Sequence, residues 1–283
     1  MTGWLIYDTV GQRRNRWFIE QLVNAASKRD LDLRFVSASS LQAGIKDSKK
    51  CVFLDGKECA FPDFVVCRTI FPLLSEFFEA AGVKVFNSAE VSRICNDKRA
   101  THMFFADTHI PMADTVFWNR LSANPSALNY PCILKSAAGH GGTEIFRTEN
   151  VKDFEMQMQR IDGGEILVQR PMMPGMDVRV YLLYGEVIFA ALRSCDTDFR
   201  SNYSLGGKIA PYTPGDEMMS VIKTIQDRLS PFYVGIDFIF DHDGRPMLNE
   251  IEDVVGARMI YELTDMPLHE LYIDRLIHAL KHC

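Results

Sequence analysis

Three carboxylates in one short segment are the side chains best placed to do chemistry. Asp237 lies in the first apolar run of VGIDFIFDHDGRPMLNEIED, and Glu250 and Glu252 lie in the second. The intervening DHDG is typical of a hairpin turn. If residues 241–244 form the loop, Asp237 pairs with Leu248 and the three acids share one face of the sheet. Neighbouring carboxylates repel one another and lose hydration unless a cation compensates them, so the pattern predicts a divalent metal site. A solvent-facing edge that carries three acids is the alternative.

A glycine-rich stretch earlier in the chain offers a second kind of chemistry. In YPCILKSAAGHGGTEIFR, a predicted strand ends at Lys135, a loop covers residues 136–142, and a second strand follows. Glycine lets a backbone close over a polyanion and present its N–H groups to phosphate oxygens, and a lysine adds a point charge. The pattern therefore favours a phosphate-binding loop, with an ordinary hairpin tip as the alternative.

Two further segments carry cations in unusual positions. Lys98 follows the helix-capping pair Asn96-Asp97 and lies on the apolar face of a predicted helix, where it either reaches for an anion or extends to solvent. The polar segment 193–207 holds Arg193 and Arg200 and is either an anion site or a surface loop.

The elements that must position these groups read as an α/β protein. Residues 1–88 begin with a strand, a helix and a strand, which predicts a parallel layer, and they contain no G-x-G-x-x-G motif for a dinucleotide. Later residues alternate hairpins with amphipathic helices, including 216–229 and 268–282. In the predicted hairpin 177–193, Asp177 and Arg179 point to one face.

Composition excludes several classes of protein. The chain has 283 residues, 47% hydrophobic and 24% charged, which is ordinary for a soluble globular protein. Its net charge of −6 argues against nucleic acid as a partner. No segment resembles a signal peptide or approaches the ~20 apolar residues of a membrane span, so we expect no membrane association. Seven scattered cysteines without a C-x-x-C motif predict reduced thiols in a cytoplasmic protein.

Six segments in a fixed order give the sequence its resemblance to the ATP-grasp superfamily, and within it to the RimK-like carboxylate–amine ligases. They are DK at residues 97–98, ILKSAAGHGGTEIF, VQRPMMPGMDVRVYLL, FRSNYSLGG, GIDFIF and LNEIED. The resemblance implies an ATP-grasp fold of the α/β (α+β) class. It implies a pre-ATP-grasp domain over residues 1–88, a lid subdomain over 89–172, and a C-terminal subdomain with the metal site over 173–283. The last two would grip the nucleotide.

The resemblance also implies a role for each matching residue. Those expected to bind ATP are Lys98, Lys135, Gly139, His140, Gly141, Gly142, Gln169, Arg170, Pro171, Met172, Asp177, Arg200, Ser201 and Asn202. Arg193 and Arg200 are expected to hold the transferred phosphate. Asp237, Glu250 and Glu252 are expected to bind Mg²⁺, with Mn²⁺ as an alternative.

The implied reaction is the ATP- and Mg²⁺-dependent joining of a carboxylate to an amine through an acylphosphate, on an amino acid or peptide. The sequence departs from the family at Glu252, where an Asn is usual, at Arg170, where an acid is frequent, and over residues 254–258, where Ser-Pro-Gly is common. The last departure indicates an acceptor different from that of the glutamate-adding enzymes. A regulatory or scaffold protein without turnover and a peptide-modifying ligase of a natural-product pathway are alternatives. The sequence leaves a homodimer open.

Overall fold

The structure is a computed structural model that describes residues 1–119, 124–139, 144–161, 165–195 and 207–282. Its strands are β1 (Thr2–Tyr7), β2 (Asp32–Ser37), β3 (Leu41–Lys46), β4 (Lys49–Leu54), β5 (Lys57–Cys59), β6 (Phe64–Arg68), β7 (Lys84–Phe86), β8 (Thr115–Asn119), β9 (Cys132–Ser136), β10 (Ile145–Thr148), β11 (Glu165–Gln169), β12 (Met176–Leu183), β13 (Glu186–Ser194), β14 (Lys208–Pro211), β15 (Tyr233–Phe240) and β16 (Pro246–Glu252). Its helices are α1 (Thr9–Ser27), α2 (Pro72–Ala80), α3 (Ala89–Cys95), α4 (Lys98–Phe105), α5 (Val151–Met158), α6 (Asp216–Leu229), α7 (Arg258–Leu263) and α8 (Leu268–His282), with a 3₁₀ turn at Pro125–Ala127.

The first sheet is the predicted parallel layer. Its strand order is β2-β1-β6-β7, and β3, β4 and β5 form a separate antiparallel sheet beside it. Helix α1 starts at Thr9, six residues before its predicted start at Asn15. The Asp8 carboxylate causes this early start because it accepts a hydrogen bond from the Gly11 backbone N–H at 2.7 Å and caps the helix.

Two antiparallel sheets follow, and the candidate site lies where they meet. The first has the order β10-β9-β11-β8 and the second has the order β14-β13-β12-β15-β16. Each sheet lies within one of the three segments expected from the sequence, whose boundaries stay predictions. No helix in the described ranges is long and apolar enough to cross a membrane.

The predicted register of the acidic hairpin is wrong in one respect. Asp237 lies opposite Glu250 and not opposite Leu248, which pairs with Phe238 instead. Two extra residues cause the shift. The turn extends to Arg245, whose carbonyl accepts from the Asp241 N–H at 3.0 Å, and a β-bulge leaves Asn249 without a pairing partner.

Candidate active site

The three predicted metal ligands converge, as the sequence indicated. One carboxylate oxygen from each of Asp237, Glu250 and Glu252 lies within 4.8 Å of the others. The Asp237 side chain is 1% exposed, whereas Glu250 and Glu252 are 18% and 19% exposed. We call these three residues the acid cluster. It is deep enough to be shielded from bulk water and open enough on the glutamate side to admit a ligand.

Two buried arginines balance the charge of the acid cluster. Arg179 donates to both Asp237 oxygens at 2.7 Å, and its Nη2 also donates to Glu252 at 2.7 Å. Arg193 donates from Nη2 to Asp237 at 2.7 Å and from Nε to Asp177. Burial alone would raise the pKa of Asp237, but the two guanidinium groups outweigh it and hold that pKa well below its usual range.

A lysine from another element reaches the same cluster. Asp97 caps α4 by accepting from the Arg99 N–H at 2.8 Å, which fixes Lys98 in the first turn of the helix. The Lys98 Nζ lies 3.1 Å from a Glu250 oxygen and donates to the Gly139 carbonyl at 2.5 Å. It thus joins the acid cluster to the described start of the glycine-rich loop.

The two glutamates differ in electrostatic environment. Burial raises the pKa of each, but for Glu250 the charges of Lys98, Arg179 and Lys135 together outweigh burial and lower the pKa. For Glu252 the attraction of Arg179 is insufficient against burial and the charges of Asp237 and Glu250, so its pKa is raised. Glu252 is therefore the less stabilised anion of the cluster in the absence of a further cation.

The second predicted lysine is held by a residue that the sequence did not indicate. Lys135 donates from Nζ to the Asn249 side-chain oxygen at 2.8 Å. Burial and the nearby Lys98 charge, opposed by the attraction of Glu250, together lower the pKa of Lys135 to about 8. The bulge places Asn249 at this position, so the strand delivers Asn249 to Lys135 and Glu250 to Lys98.

A cleft of about 680 Å³, including its mouth, begins at Lys135 and Asn249. We call it the nucleotide cleft. Its lining includes every predicted hinge residue and Asp177, together with apolar walls: the hinge residues are Gln169, Arg170, Pro171 and Met172, and the walls include Ile133, Ile145, Met173, Met176 and Ile239. Its size and its mixture of apolar walls with a few polar groups are typical of a small-molecule site.

One polar atom in the nucleotide cleft is available to a ligand. Gln169 is buried and donates from Nε2 to the Thr115 hydroxyl at 2.8 Å. Its Oε1 has no hydrogen-bond partner within the described part of the chain. A buried acceptor without a donor costs free energy, so a donor on a bound molecule would relieve it.

Four groups at or near the site were not among the predicted site residues. They are Arg179, Asn249, Thr115 and His102. The spacing of Arg179 from Asp177 predicted that both side chains point to one face of the sheet, and that signal was sufficient to count Arg179 among the site residues. The predicted residues His140, Gly141, Gly142, Arg200, Ser201 and Asn202 lie outside the described ranges.

Comparisons with known proteins show the family to which the chain belongs. Residues 97–275 match the RimK-like ATP-grasp domain. The chain is 24% identical over 98% of its length to an uncharacterized protein, the MG011 homolog of Mycoplasma pneumoniae, and covers 93% of it. It is 23% identical to the alpha-aminoadipate–LysW ligase LysX of Saccharolobus solfataricus, over 74% of this chain and 80% of LysX.

The fold resembles that of a solved ligase over almost the whole chain. A structure of the ATP-grasp ligase PsnB with its minimal precursor has a TM-score of 0.72 and 20% sequence identity, covering 98% of this chain and 99% of PsnB. The fold and site define an ATP-grasp ligase. The chain belongs to the RimK-like family of these carboxylate–amine ligases, which confirms the predicted fold and the predicted class of enzyme.

Proposed function

We propose that the acid cluster is where this ligase joins a carboxylate to an amine, with ATP bound in the nucleotide cleft. The observation that carries this proposal is the convergence of two lysines from different elements on neighbouring positions of β16. Lys98 contacts Glu250, and Lys135 contacts Asn249. Two ammonium groups beside clustered carboxylates suit a polyphosphate that arrives with a divalent cation.

The acid cluster has the donor set that Mg²⁺ prefers. Three carboxylates offer hard oxygen ligands within 4.8 Å of one another, and Mn²⁺ accepts the same donors. Glu252 supplies one more negative charge than the asparagine usual in the family, and the Arg179 guanidinium, 2.7 Å away, offsets part of it. Asp237, Glu250 and Glu252 would hold the metal, which would offset the charge of the phosphates.

The reaction requires activation because a carboxylate oxygen is a poor leaving group. The carboxylate attacks the γ-phosphorus of ATP, a P–O bond to ADP breaks, and an acylphosphate forms. The amine then attacks the carbonyl carbon, the C–O bond to phosphate breaks, and the nitrogen loses a proton to give the amide. Lys98 and Lys135 neutralise phosphate charge, and Arg193, held between Asp177 and Asp237, orients the transferred group.

The nucleotide cleft supplies groups that select the base and sugar. Gln169 Oε1 would accept a hydrogen bond from the exocyclic amine of adenine, because this oxygen has no partner within the described ranges. The Nε2 atom of the same side chain donates to Thr115. Asp177 lines the cleft and would accept from a ribose hydroxyl. The apolar walls would pack against the two faces of the base.

We infer that the substrates are small molecules or peptides carrying a carboxylate and an amine. LysX is named for joining alpha-aminoadipate to LysW, and a PsnB structure holds a precursor peptide, so relatives act on small molecules and on peptides. We place the reaction in the cytoplasm, and the six cysteines in the described ranges support this because all are free.

The test is a screen for ADP release with Mg-ATP over amino acids and short peptides, followed by mass analysis of the product. An amide product that gains the mass of the amine minus water supports the proposal. Tight binding of Mg-ATP without ADP release for any acceptor would favour the scaffold alternative.

A further inference from the structure

A second cleft, of about 1960 Å³ including its open mouth, lies between α1 and α7. We call it the substrate cleft. Its inner end is lined by Arg179, Arg193 and Glu252, so a molecule bound there would reach the acid cluster. The chemistry of its walls therefore bears on which substrate the ligase takes.

The outer part of the substrate cleft exposes large apolar side chains. Val10, Trp17 and Ile70 line it and are 57%, 52% and 45% exposed. The Trp17 ring meets the Tyr261 ring edge-on, with centroids 4.9 Å apart, and the Tyr261 hydroxyl lies 3.0 Å from His269 Nδ1. These contacts fix the aromatic surface before any ligand arrives, and apolar surface gathered at a cleft is typical of a binding site.

The same cleft carries positive charge that the described residues leave uncompensated. Arg14 and Arg258 are exposed and form no ion pair within the described ranges. Arg68 is buried and bonds through Nη1 and Nη2 to backbone carbonyls, and its Nε has no partner there. The acids of the lining are occupied, since Asp8 caps α1 and Glu252 pairs with Arg179. The free charge of the cleft therefore suits a carboxylate.

The order of these groups along α1 indicates how a ligand would lie. Val10, Arg14 and Trp17 all line the cleft, so they form a stripe along α1 that crosses the kink at Asn15, with the cation between two apolar groups. The stripe spans about 10 Å at roughly 1.5 Å per residue. An extended peptide covers that length in about three residues at roughly 3.3 Å each.

We propose that the substrate cleft binds a peptide in which an acidic residue is flanked by bulky apolar side chains. Arg14 and Arg258, which both line the cleft, pair with the carboxylate, and Trp17 and Val10 cover the flanking side chains. That such a peptide is a substrate rests on the proposed function, whereas its binding does not.

The experiment measures binding of fluorescein-labelled peptides by anisotropy, with Mg-ADP present. The probe has the core Gly-Leu-Glu-Phe-Gly. One control replaces Glu by Gln, and the other replaces Leu and Phe by Ser. We expect the probe to bind about fivefold more tightly than the Gln control, as for a partly exposed charge pair. We expect it to bind at least about tenfold more tightly than the Ser control, because apolar area is lost.

Variants assign each preference to its side chain. The double change Arg14→Gln with Arg258→Gln should weaken binding of the probe to the level of the Gln control and leave binding of the Gln control unchanged. Trp17→Ala should weaken binding of the probe and of the Gln control, which both carry Leu and Phe, and leave binding of the Ser control unchanged. Arg13→Gln and Ile45→Ala are matched controls because both side chains are exposed and neither lines the substrate cleft, and they should change nothing.

Equal affinity for the three peptides, or no effect of either cleft variant, would overturn the proposal. A thermal-shift assay of Mg-ATP binding tests the proposed function separately. A preference for the probe peptide without binding of Mg-ATP would contradict only the proposed function. ADP release with other acceptors, together with equal affinity for the probe and the control peptides, would contradict only this inference.

Discussion

If Lys135 contacts the phosphates of ATP, as proposed, the binding of ATP should depend on pH in a way that can be calculated. Its pKa of about 8 leaves the ammonium about 90% charged at pH 7, 50% at pH 8 and 10% at pH 9. Bound phosphates would return the pKa to its usual value near 10.4 or above, because an adjacent anion favours the charged form. Binding of Mg-ATP should therefore take up about 0.1, 0.5 and 0.9 protons at these three pH values.

The sign follows from the direction of the shift. A lysine whose pKa is lower in the free protein than in the complex gains a proton on binding, so affinity falls as pH rises through 8. The fall should be about twofold between pH 7 and 8 and about fivefold between pH 8 and 9. Calorimetric titration of Mg-ATP in two buffers of different ionisation enthalpy measures the proton uptake directly.

Lys135→Arg is the matched variant. A guanidinium stays charged across this range, so the variant reports the proton uptake of the nucleotide itself and of all other groups. The difference between wild type and variant should follow the calculated values. Equal uptake by the two proteins at all three pH values would refute the reasoning, because Lys135 would then be fully charged when free or distant from the phosphates when bound.

Three further changes probe the rest of the site. Glu250→Gln should abolish ADP release at nearly constant side-chain volume, while Glu217→Gln on the exposed start of α6 should not; near-normal turnover in the first would contradict the metal assignment. Asp237→Asn should lower the free energy of unfolding in urea by about 3–5 kcal/mol, because two buried guanidinium groups lose their shared carboxylate; a loss below about 1 kcal/mol would contradict it. Burial and the two lysines lower the pKa of His102 to about 4, so protonation favours the unfolded chain and stability falls as pH drops through 6.5. Between pH 7 and pH 5, the free energy of unfolding of wild type, measured in urea, should fall by about 2 kcal/mol more than that of His102→Gln. An equal fall in the two proteins would show that His102 is not held neutral by burial.

The acid cluster shows how far the sequence can be interpreted. Turn residues between two apolar runs predicted the hairpin, and carboxylates inside those runs predicted a shared face, which the structure has. The register was not predictable, because a period of two gives no sign of an added residue at Asn249. The contact of Asn249 with Lys135 was equally hidden, since it joins residues 114 positions apart through the packing of two sheets.

Charge balance was the other part that the sequence did not reveal. Asp177 and Arg179 were expected on one face, but the pairing of Arg179 with both Asp237 and Glu252 depends on β12 lying beside β15. Strand order in a sheet is set by tertiary packing, and local propensity carries little information about it. The segments that matched the family contained most of the site, and its internal partners became visible only in three dimensions.

The bulge at Asn249 also changes what the hairpin can tolerate. In a regular strand successive side chains point to opposite faces, so one strand position cannot serve two neighbouring sites. Here Glu250 pairs with Asp237 and Asn249 has no pairing partner, so Asn249 is surplus to the pairing. A chain without Asn249 would keep Glu250 and Glu252 in register with Asp237 and Gly235. The hairpin could therefore lose this residue without losing its acids, while Lys135 would lose its side-chain partner and His102 its hydrogen bond with the Asn249 backbone.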